Sequence, residues 1–349
     1  MKKIRCKTYL IHINNWEAIN DYIAYGGYSS VFVLVDNNTL QYCIPLFEEK
    51  INSAFQVIVI KSGEEHKTID SCQYIWDKMI DLGADRHSLC INLGGGVIGD
   101  MGGFTAATFM RGMDFIQVPT TLLSQVDASV GGKLGIDYNN YKNLIGIILN
   151  PGGVFIFTDF LKTLPYRQLL SGFAEVIKHG LIKDASAFSR MTTLKSLTDI
   201  DWEELIYESV LIKKSVTEED PYEKGLRKIL NFGHTLGHAI ESNALSSNTP
   251  LLHGEAIAIG MIMEAHLSYQ KSYITFHDAE TVKNKILILF GHHPSRIPTT
   301  EVLVQLMAKD KKNKAGIIKF SLLQQLGEGN FDQEVGPEEI QNAISFYKA

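Results

Sequence analysis

Short runs of apolar residues recur through the first half of the chain, and stretches with helical periodicity separate them. The runs are rich in β-branched and aromatic residues and lie at Val31–Val35, Phe55–Ile60, Ser88–Leu93, Phe115–Val118 and Val154–Phe157. Their unbroken apolar character is typical of strands buried on both faces of a parallel sheet. Apolar residues at helical spacing predict a helix over Ile69–Leu82. The alternation predicts an α/β fold with a Rossmann-like, mainly parallel sheet.

The pattern changes after Pro151-Gly152-Gly153 and the strand that follows it. Long helical segments then predominate, at Gln168–Ile182, Trp202–Lys214, Lys228–Ser242, Glu255–Tyr269 and Ala279–Leu289. A length of 349 residues also favours two domains. We therefore predict an α/β domain over residues 1–160 and an all-α domain over residues 161–349, with a short hairpin around Ile317–Leu322 as the exception.

Composition narrows the class of protein. The chain is 45% hydrophobic and 21% charged, which is typical of a soluble globular protein. Its net charge of -6 argues against a general nucleic-acid binder. The four cysteines form no CxxC pair and are expected to be buried free thiols in a reducing compartment. The basic N-terminus lacks the apolar run of a signal peptide, and no run reaches transmembrane length, so we expect a cytoplasmic protein with no membrane partner.

Two loops follow predicted strands and could contact a nucleotide. The third strand runs into Gly94–Asp100, whose sequence GGGVIGD matches G-x-G-x-x-G ahead of a helical stretch. Such glycines let the backbone approach a pyrophosphate, and the helix N-terminus favours its negative charge. Asp36, at the end of the first strand, could hold an adenosine ribose. The second loop, Ser62–Lys67, is an equivalent candidate, and a structural glycine turn and a solvated loop remain the alternatives.

A polar patch from Arg111 to Asn143 interrupts an apolar region and follows the fourth strand. Arg111, Lys133 and Lys142 could bind phosphate or carboxylate groups, although each alone could be a surface charge. Together with Asp127 they indicate a site for a small, anionic, hydroxylated substrate. We expect this patch to open on the same side of the sheet as the glycine loop.

Histidines in the second half could hold a metal. His234 and His238 are four residues apart and share one face of a helix, and His253 begins the next helix. Glu175, surrounded by apolar residues, needs a partner, which could be Lys178 or a metal. Glu175 with two histidines would form a zinc site with open positions, as in catalytic zinc centres. Ordinary hydrogen-bonded histidines are the alternative.

Nine motifs in a fixed order give the most specific sequence information. They are GGGVIGD at Gly94, MRG at Met110, VPTTLL at Val118, QVDASVGGK at Gln125, KNLIG at Lys142, TLP at Thr163, AEVIKHG at Ala174, GLRKILNFGHTLGHAIE at Gly225 and LLHGEAIAIGM at Leu251. This set resembles the 3-dehydroquinate synthase family of sugar phosphate cyclases over nearly the whole chain. Gln168 and Pro221 depart from the family pattern and put only local contacts in doubt.

The resemblance implies roles for individual residues. NAD contacts would come from Asp36, Glu64, Lys67, Gly95, Gly96, Asp100, Thr120, Thr121, Lys142, Phe160 and Thr163. A divalent metal, with zinc the first choice and cobalt the second, would be held by Glu175, His234 and His253. Substrate contacts would come from Asp127, Asn143, Lys178, Lys213, Arg227, Asn231 and one of Lys311 or Lys312, in a lysine run that composition alone suggests is a solvated loop. The catalytic set would be His238 and Glu223, for proton transfer, with Lys133 and Arg111.

The resemblance also implies a reaction and a partner. The substrate would be 3-deoxy-D-arabino-heptulosonate 7-phosphate, converted to 3-dehydroquinate and phosphate in the shikimate pathway of aromatic amino-acid biosynthesis. The chemistry would combine transient oxidation by NAD, β-elimination of phosphate, re-reduction, ring opening and aldol closure. A homodimer is expected from the family alone. Other sugar phosphate cyclases, metal-dependent polyol dehydrogenases and non-catalytic NAD-binding modules are the alternatives.

Overall fold

The computed structural model describes residues 1–139, 141–191, 193–194, 196–198, 200–244, 250–308 and 318–349. The chain divides into two compact units. The first is Met1–Pro165 with Asp201–Glu218, and the second is Tyr166–Ile200 with Glu219–Ala349. A domain boundary at residues 160 and 161 stays a prediction, and the helix predicted at Trp202–Lys214 lies in the first unit.

Strands lie mainly in the first unit. Their bounds are β1 Lys2–Arg5, β2 Leu10–Ile13, β3 Val31–Asp36, β4 Gln56–Ile60, β5 Leu89–Gly94, β6 Asp114–Pro119, β7 Lys133–Tyr138, β8 Tyr141–Ile148, β9 Gly153–Ile156, β10 Lys319–Gln325 and β11 Glu328–Glu334. The five strands predicted from apolar runs correspond to β3, β4, β5, β6 and β9, which confirms those predictions to within about one residue at each end.

Helices occur in both units. Their bounds are α1 Trp16–Tyr25, α2 Asn37–Tyr42, α3 Ile44–Lys50, α4 Ile69–Asp81, α5 Gly96–Thr108, α6 Tyr166–Lys183, α7 Ala185–Met191, α8 Trp202–Glu219, α9 His234–Ala244, α10 His253–Gln270, α11 Phe276–Phe290, α12 Thr300–Ala308 and α13 Pro337–Lys348. Helices α4, α6, α8, α10 and α11 confirm predicted segments. The segment predicted at Lys228–Ser242 is divided, since residues Leu226–Asn231 form a 3₁₀ turn ahead of α9.

The main sheet of the first unit has the order β1-β2-β9-β6-β5-β3-β4 within the described residues. All neighbouring strands are parallel except β1 and β2. Strand β3 lies between β4 and β5, so the chain leaves β3 and β5 in opposite directions along the sheet. In open α/β sheets this reversal creates a crevice at the carboxyl ends of the two strands, where ligands bind. The predicted α/β fold is confirmed.

Alternate residues of the central strands supply two apolar layers. Phe32 and Leu34 of β3 pack with the residues beneath α4 and α5, whereas Val33 and Val35 belong to the cluster beneath α1 and α3. All four side chains are 0% exposed. Burial on both faces explains why these strands are continuous apolar runs rather than alternating patterns.

The polar patch predicted at Arg111–Asn143 overlaps an antiparallel hairpin, β7 and β8, that the apolar pattern did not reveal. Leu134 and Ile136 of β7 are buried in the same apolar cluster as α5. Strand β8 is largely exposed, and it includes Lys142 and Asn143. The hairpin is thus anchored by β7 against α5, and its strand β8 presents polar residues at the surface of the first unit.

The second unit is mainly helical, as predicted, with α10 buried on nearly all sides. It is not all-α, because β10 and β11 form an antiparallel hairpin. The described part of this hairpin begins at Lys319, close to the predicted strand. Helical periodicity alone favours an all-α unit, since such a hairpin contributes only a few apolar residues to the core.

Helices α9 and α10 cross in close contact at glycines. A methyl group on Gly260 would lie 2.0 Å from the carbonyl oxygen of Gly233 and 2.8 Å from the amide nitrogen of Gly237. Gly233 has φ of +80°, which favours glycine. The buried carboxylate of Glu264 in α10 accepts hydrogen bonds from the amides of Gly233, at 2.6 Å, and Leu236, at 3.1 Å. It therefore satisfies amide groups at the start of α9 that have no partner within their own helix.

All four cysteines are buried and free, as predicted. Burial raises the pKa of the thiols of Cys43, Cys72 and Cys90 to about 12. In the part of the chain that the structure describes, none of the helices combines the length and the apolarity that a membrane crossing requires.

The α9–α10 crossing predicts a large effect of one methyl group. Gly260→Ala should lower the free energy of unfolding of the second unit by about 1–3 kcal/mol, because the added carbon meets backbone atoms that can move only with the helix. Gly336→Ala is the control, since its nearest atom is 3.7 Å away. Denaturant unfolding curves for both variants test the prediction, and equal stability of the two would contradict it.

Candidate cofactor and metal sites

Most of the predicted NAD contacts follow the carboxyl ends of parallel strands in the first unit. Asp36 ends β3, and Glu64 with Lys67 follows β4. Gly95, Gly96 and Asp100 follow β5, Thr120 and Thr121 follow β6, and Phe160 and Thr163 follow β9. Because these strands are parallel, all of these residues lie along one edge of the sheet. We call this edge, with the residues just named, the carboxyl edge.

The glycine loop at the end of β5 begins α5 without a side-chain cap. Ser129 and Gln117 line a small pocket with Gly95 and Gly96. Thr121 lies beside Gly95, where an added methyl group would come within 3.2 Å of the threonine Cγ2. An uncapped helix N-terminus with close backbone access is suited to an anion such as a pyrophosphate.

Lys67 joins two segments of the carboxyl edge to strand β8. Its Nζ donates to Asp100 Oδ2 at 2.6 Å and to Asn143 Oδ1 at 2.7 Å, and the residue is 3% exposed. Asp137 accepts from the amide of Asn143 at 2.7 Å and donates its own amide to the Lys67 carbonyl at 2.8 Å. Burial alone would lower the pKa of Lys67, but Asp100 and Glu64 outweigh it and raise that pKa. The buried ammonium group therefore stays charged and fixes the β7–β8 hairpin to the loop after β4.

Two of the predicted substrate residues pair within the first unit. Lys213 of α8 donates to Asp127 Oδ1 at 2.6 Å, and Lys213 is 7% exposed. Lys133 and Lys142, on β7 and β8, are exposed. The structure thus brings together Asp127 with Lys213, and Asn143 with Lys67.

Arg111 lies at the other edge of the sheet. It occupies the turn between α5 and β6, so it precedes the strand that the polar patch was predicted to follow. Strand β6 has six residues and spans roughly 20 Å, which separates Arg111 from the carboxyl edge. The prediction that Arg111 opens on the same side as the glycine loop is wrong, because α5 returns the chain to the amino ends of the strands. The predicted catalytic role of Arg111 stays a prediction.

Three helices of the second unit bring potential metal ligands together. The Oε1 atom of Glu175, on α6, lies 3.6 Å from Nε2 of His234, on α9, and 3.6 Å from Nε2 of His253, on α10. Ligands at zinc bond lengths of about 2.0–2.2 Å in a tetrahedron are roughly 3.4 Å apart. The two oxygen-to-nitrogen distances therefore fit a zinc-type cation held by one carboxylate oxygen and two imidazole nitrogens. Glu175 also forms an ion pair with Lys178 through Oε2, so both predicted partners of this carboxylate are supported.

Close contact between α6 and α10 sets the position of these ligands. Gly254 donates its amide to Ser171 Oγ at 2.9 Å, and a methyl group on Gly254 would lie 1.8 Å from the Ser171 carbonyl oxygen. Ser171 precedes Glu175 by one helical turn, and Gly254 follows His253. Without a side chain at position 254 the two helices can approach closely enough for Glu175 and His253 to meet.

His238 lies beside the same cluster. Its ring centroid is 5.1 Å from that of His234 and 5.7 Å from that of His253. Nitrogens of the three histidines lie within 4.8 Å of one another. The geometry therefore permits two ligand sets, Glu175 or His238 with the shared pair His234 and His253. The predicted role of His238 as a proton acceptor stays a prediction.

The two shared histidines differ electrostatically. Burial, together with the nearby Lys178 ammonium group, lowers the pKa of His234 well below its usual value. Burial also acts to lower the pKa of His253, but hydrogen bonds to Glu175 and Glu241 outweigh it and raise that pKa to about 9. A histidine must be neutral at the coordinating nitrogen, so a cation at His253 has to displace a proton.

One carboxylate organises the loop ahead of α9. Asp220 accepts hydrogen bonds from the amides of Lys224, Gly225 and Arg227 at 2.7–3.1 Å. The buried Arg227 donates from Nη1 to the Pro221 carbonyl at 2.7 Å. Pro221, a departure from the family pattern, thus supports Arg227 through its backbone. Gln168, the other departure, is exposed on α6.

Glu223, a predicted catalytic residue, lies in this loop. Its Oε1 accepts from Asn231 Nδ2 at 2.6 Å, which links it to a predicted substrate residue. Its φ of 56° lies in the left-handed region. Such a conformation is uncommon for a residue with a side chain, and strained conformations of this kind cluster at functional sites. Lys311 and Lys312 lie outside the described residues.

Models of known protein families decide which family these features belong to. The model of the 3-dehydroquinate synthase N-terminal region matches residues 57–171, and that of its C-terminal region matches residues 172–313. The chain belongs to the 3-dehydroquinate synthase family. The resemblance predicted from the nine motifs is confirmed.

Individual relatives of the 3-dehydroquinate synthase family agree with this assignment. The chain is 40% identical to the 3-dehydroquinate synthase of Parabacteroides distasonis over 342 residues, covering 95% of this chain and 94% of the relative. It is also 40% identical to that of Clostridium botulinum, over 85% of this chain and 86% of the relative.

Solved structures with the same fold include other cyclases. A 2-deoxy-scyllo-inosose synthase in complex with carbaglucose-6-phosphate, NAD+ and Co2+ is 26% identical, with a TM-score of 0.82 and 98% of each chain covered. The 2-epi-5-epi-valiolone synthase of Streptomyces hygroscopicus subsp. jinggangensis, with NAD+ and Zn2+ bound, has a TM-score of 0.84 at 24% identity, covering 99% of this chain and 98% of that one.

Sequence reasoning missed several polar residues that support the sites. Glu241 lies 3.3 Å from His253, and Glu264, Asp220 and Asp137 organise the neighbouring backbone. Glu241 had a detectable signal, since it follows His234 by seven residues and so lies on the same helix face. Glu264, Asp220 and Asp137 have no such signal. They accept from backbone amides, and because nearly every residue has an amide, the sequence does not show which ones a carboxylate will bind.

The ligand geometry predicts different effects of two histidine variants. His253→Ala should lose bound zinc, because it removes a nitrogen shared by both possible ligand sets. His238→Ala should keep zinc but lose most turnover, if Glu175 completes the set and His238 transfers protons. Metal content of the purified variants, measured by mass spectrometry, tests this prediction, with the exposed His277→Ala as control. Zinc loss in the His238 variant would instead favour the three-histidine set.

Proposed function

We propose that the chain converts 3-deoxy-D-arabino-heptulosonate 7-phosphate to 3-dehydroquinate and phosphate, as a carbon–oxygen lyase of the shikimate pathway. The observation that carries this proposal is the convergence of Glu175, His234 and His253 in a chain about 40% identical to 3-dehydroquinate synthases over most of its length. A family member that had lost the reaction would not need to keep this ligand set together.

The proposed cofactors are NAD at the carboxyl edge and a divalent metal, zinc or cobalt, at the Glu175 cluster. Neighbouring cyclases are described with NAD+ and with Co2+ or Zn2+. When bound, NAD supplies the reversible oxidation of a ring hydroxyl, and the metal supplies a Lewis acid that polarises the oxygen concerned. The uncapped N-terminus of α5 would bind the pyrophosphate, and Asp36 would accept from the adenosine ribose.

Proton transfer is assigned to His238 and Glu223. Histidine suits this role because its ordinary pKa lies near neutral pH, so the side chain can both accept and release a proton. His238 lies next to the ligand cluster, with its ring 5.1 Å from that of His234. The carboxylate of Glu223 accepts a hydrogen bond from Asn231 Nδ2 at 2.6 Å, which holds it next to a proposed substrate residue.

Cations and amides are proposed to bind the substrate. Its phosphate and carboxylate require positive charges, and its hydroxyls require polar partners. The residues assigned to these contacts are Lys133, Lys178, Lys213, Arg227, Asp127, Asn143 and Asn231, with Lys311 or Lys312 outside the described residues. This set explains how a chain with a net charge of -6 can bind an anion.

Alternative functions have less support. Other sugar phosphate cyclases resemble the chain at 24–26% identity, compared with 40% for the 3-dehydroquinate synthases. Glycerol dehydrogenases share the fold at only 12–17% identity. A non-catalytic NAD-binding module would not require the Glu175 cluster.

Phosphate release without net redox change is the test of this function. The purified chain, supplied with zinc, the heptulosonate phosphate and catalytic NAD, should release phosphate in amounts far above the NAD added. Because the hydride returns to the substrate, NADH should not accumulate, as absorbance at 340 nm would report. Stoichiometric NADH from a polyol, with no phosphate released, would contradict the proposal and favour a dehydrogenase.

The proposed location of the protein is the cytoplasm.

We also propose that the chain forms a homodimer through the edge of strand β8. Strand β8 has one neighbour, β7, among the described strands, so its outer edge is open to pairing. Leu144 and Ile148 are 44% and 46% exposed on this strand, and Leu149 follows it at 44%. Exposed apolar edge strands pair with other chains, and pairing of β8 with β8 of a second copy would satisfy two-fold symmetry.

The β8 edge predicts which change separates the dimer. The double variant Leu144→Lys, Ile148→Lys should sediment as a monomer at concentrations where the unchanged chain is a dimer, because charges on an edge strand oppose pairing. Tyr25→Lys, at a residue that is 85% exposed on α1, is the control and should remain dimeric. An unchanged chain that sediments as a monomer would refute the dimer. A double variant that stays dimeric would place the interface elsewhere.

A further inference from the structure

The ring of His253 lies between two carboxylates. Its Nε2 is 3.6 Å from Glu175 Oε1, and its Nδ1 is 3.3 Å from Glu241 Oε2. Glu241 is on α9, is 7% exposed, and belongs to neither possible ligand set. None of the roles assigned above uses this buried carboxylate.

A metal-binding imidazole is oriented by the hydrogen bond of its other nitrogen. A carboxylate or carbonyl that accepts from that nitrogen fixes both the ring orientation and the tautomer, and it increases the basicity of the coordinating nitrogen. His234 has such a partner, since its Nδ1 lies 3.1 Å from the Phe232 carbonyl oxygen. Both histidines therefore direct Nε2 toward Glu175, one through a backbone carbonyl and the other through Glu241.

We propose that Glu241 is a positioning residue for the metal site, acting through a hydrogen bond from Nδ1 of His253. The proposal rests on the metal site of the proposed function, but it holds for either ligand set, because His253 belongs to both. Glu241 does not contact the metal. Its role is to hold the His253 ring in the orientation that binds a cation through Nε2.

The position of Glu241 on α9 strengthens this role. His234 and Glu241 are seven residues apart, which is close to two helical turns, so both face α10. One helix thus supplies a ligand and the residue that orients a second ligand. The Gly260 crossing and the amide bonds to Glu264 fix this helix against α10, so Glu241 is held at a defined height relative to His253.

Zinc affinity of Glu241 variants tests the proposal. Competition with a chromophoric chelator should give a zinc Kd about 10- to 100-fold weaker for Glu241→Ala, the usual effect of losing such a partner. Glu241→Gln keeps an oxygen that can accept from Nδ1 and should recover most of the affinity. Ser242→Ala, at the adjacent exposed position, should bind zinc like the unchanged chain.

Two further measurements separate positioning from a loss of folding or of the whole site. The melting temperature in excess chelator should be similar for the Ala and Gln variants, and the cobalt-loaded Ala variant should show an altered visible spectrum. A His253→Ala chain that keeps zinc would refute the metal site itself. If His253→Ala loses zinc while Glu241→Ala binds it with unchanged affinity, only the role of Glu241 is overturned. Equal weakening in Gln and Ala variants would also overturn it.

Discussion

The close crossing of α9 and α10 is the constraint on which the metal site depends. Backbone meets backbone there because Gly233, Gly237 and Gly260 carry no side chains. Close packing leaves the amides at the start of α9 without access to water, and the carboxylate of Glu264 satisfies two of them. A buried carboxylate is costly unless it is hydrogen-bonded, so the glycines and Glu264 are needed together. Their combined effect is that His234 begins its helix within reach of Glu175 and His253.

In the first unit, the topology of the sheet brings the candidate cofactor-binding residues together. Parallel strands end along one edge, so residues that are far apart in sequence meet there without individual positioning. Lys67 then joins the loop after β4, helix α5 and strand β8 through Asp100 and Asn143. A single buried cation with two acceptors gives these segments one arrangement, which is the condition for binding a large cofactor without reorganising the loops.

Much of the fold could be predicted because the strongest elements carry strong patterns. Strands such as β3 are buried on both faces and therefore appear as apolar runs, and α6 and α10 are long enough to be recognised. The β7–β8 hairpin is not apparent from the apolar pattern because β8 is largely exposed and β7, with the sequence KLGIDY, is not a continuous apolar run. The prediction for Arg111 is wrong because it groups this residue with the polar residues that follow the fourth strand, whereas Arg111 precedes that strand. Glu264 and Asp220 were missed because a carboxylate that binds amides has no sequence signature.

Helix α9 presents His234, His238 and Glu241 on one face, at intervals of four and three residues. Each residue turns an α-helix by about 100°, so one inserted or deleted residue between them would rotate everything beyond it away from the cluster. The proposed ligand, proton acceptor and positioning carboxylate would then be lost together rather than one at a time. The chemistry of such a site can change through substitutions at these three positions. Insertions and deletions leave the site intact only where they fall outside the part of the helix that carries these residues.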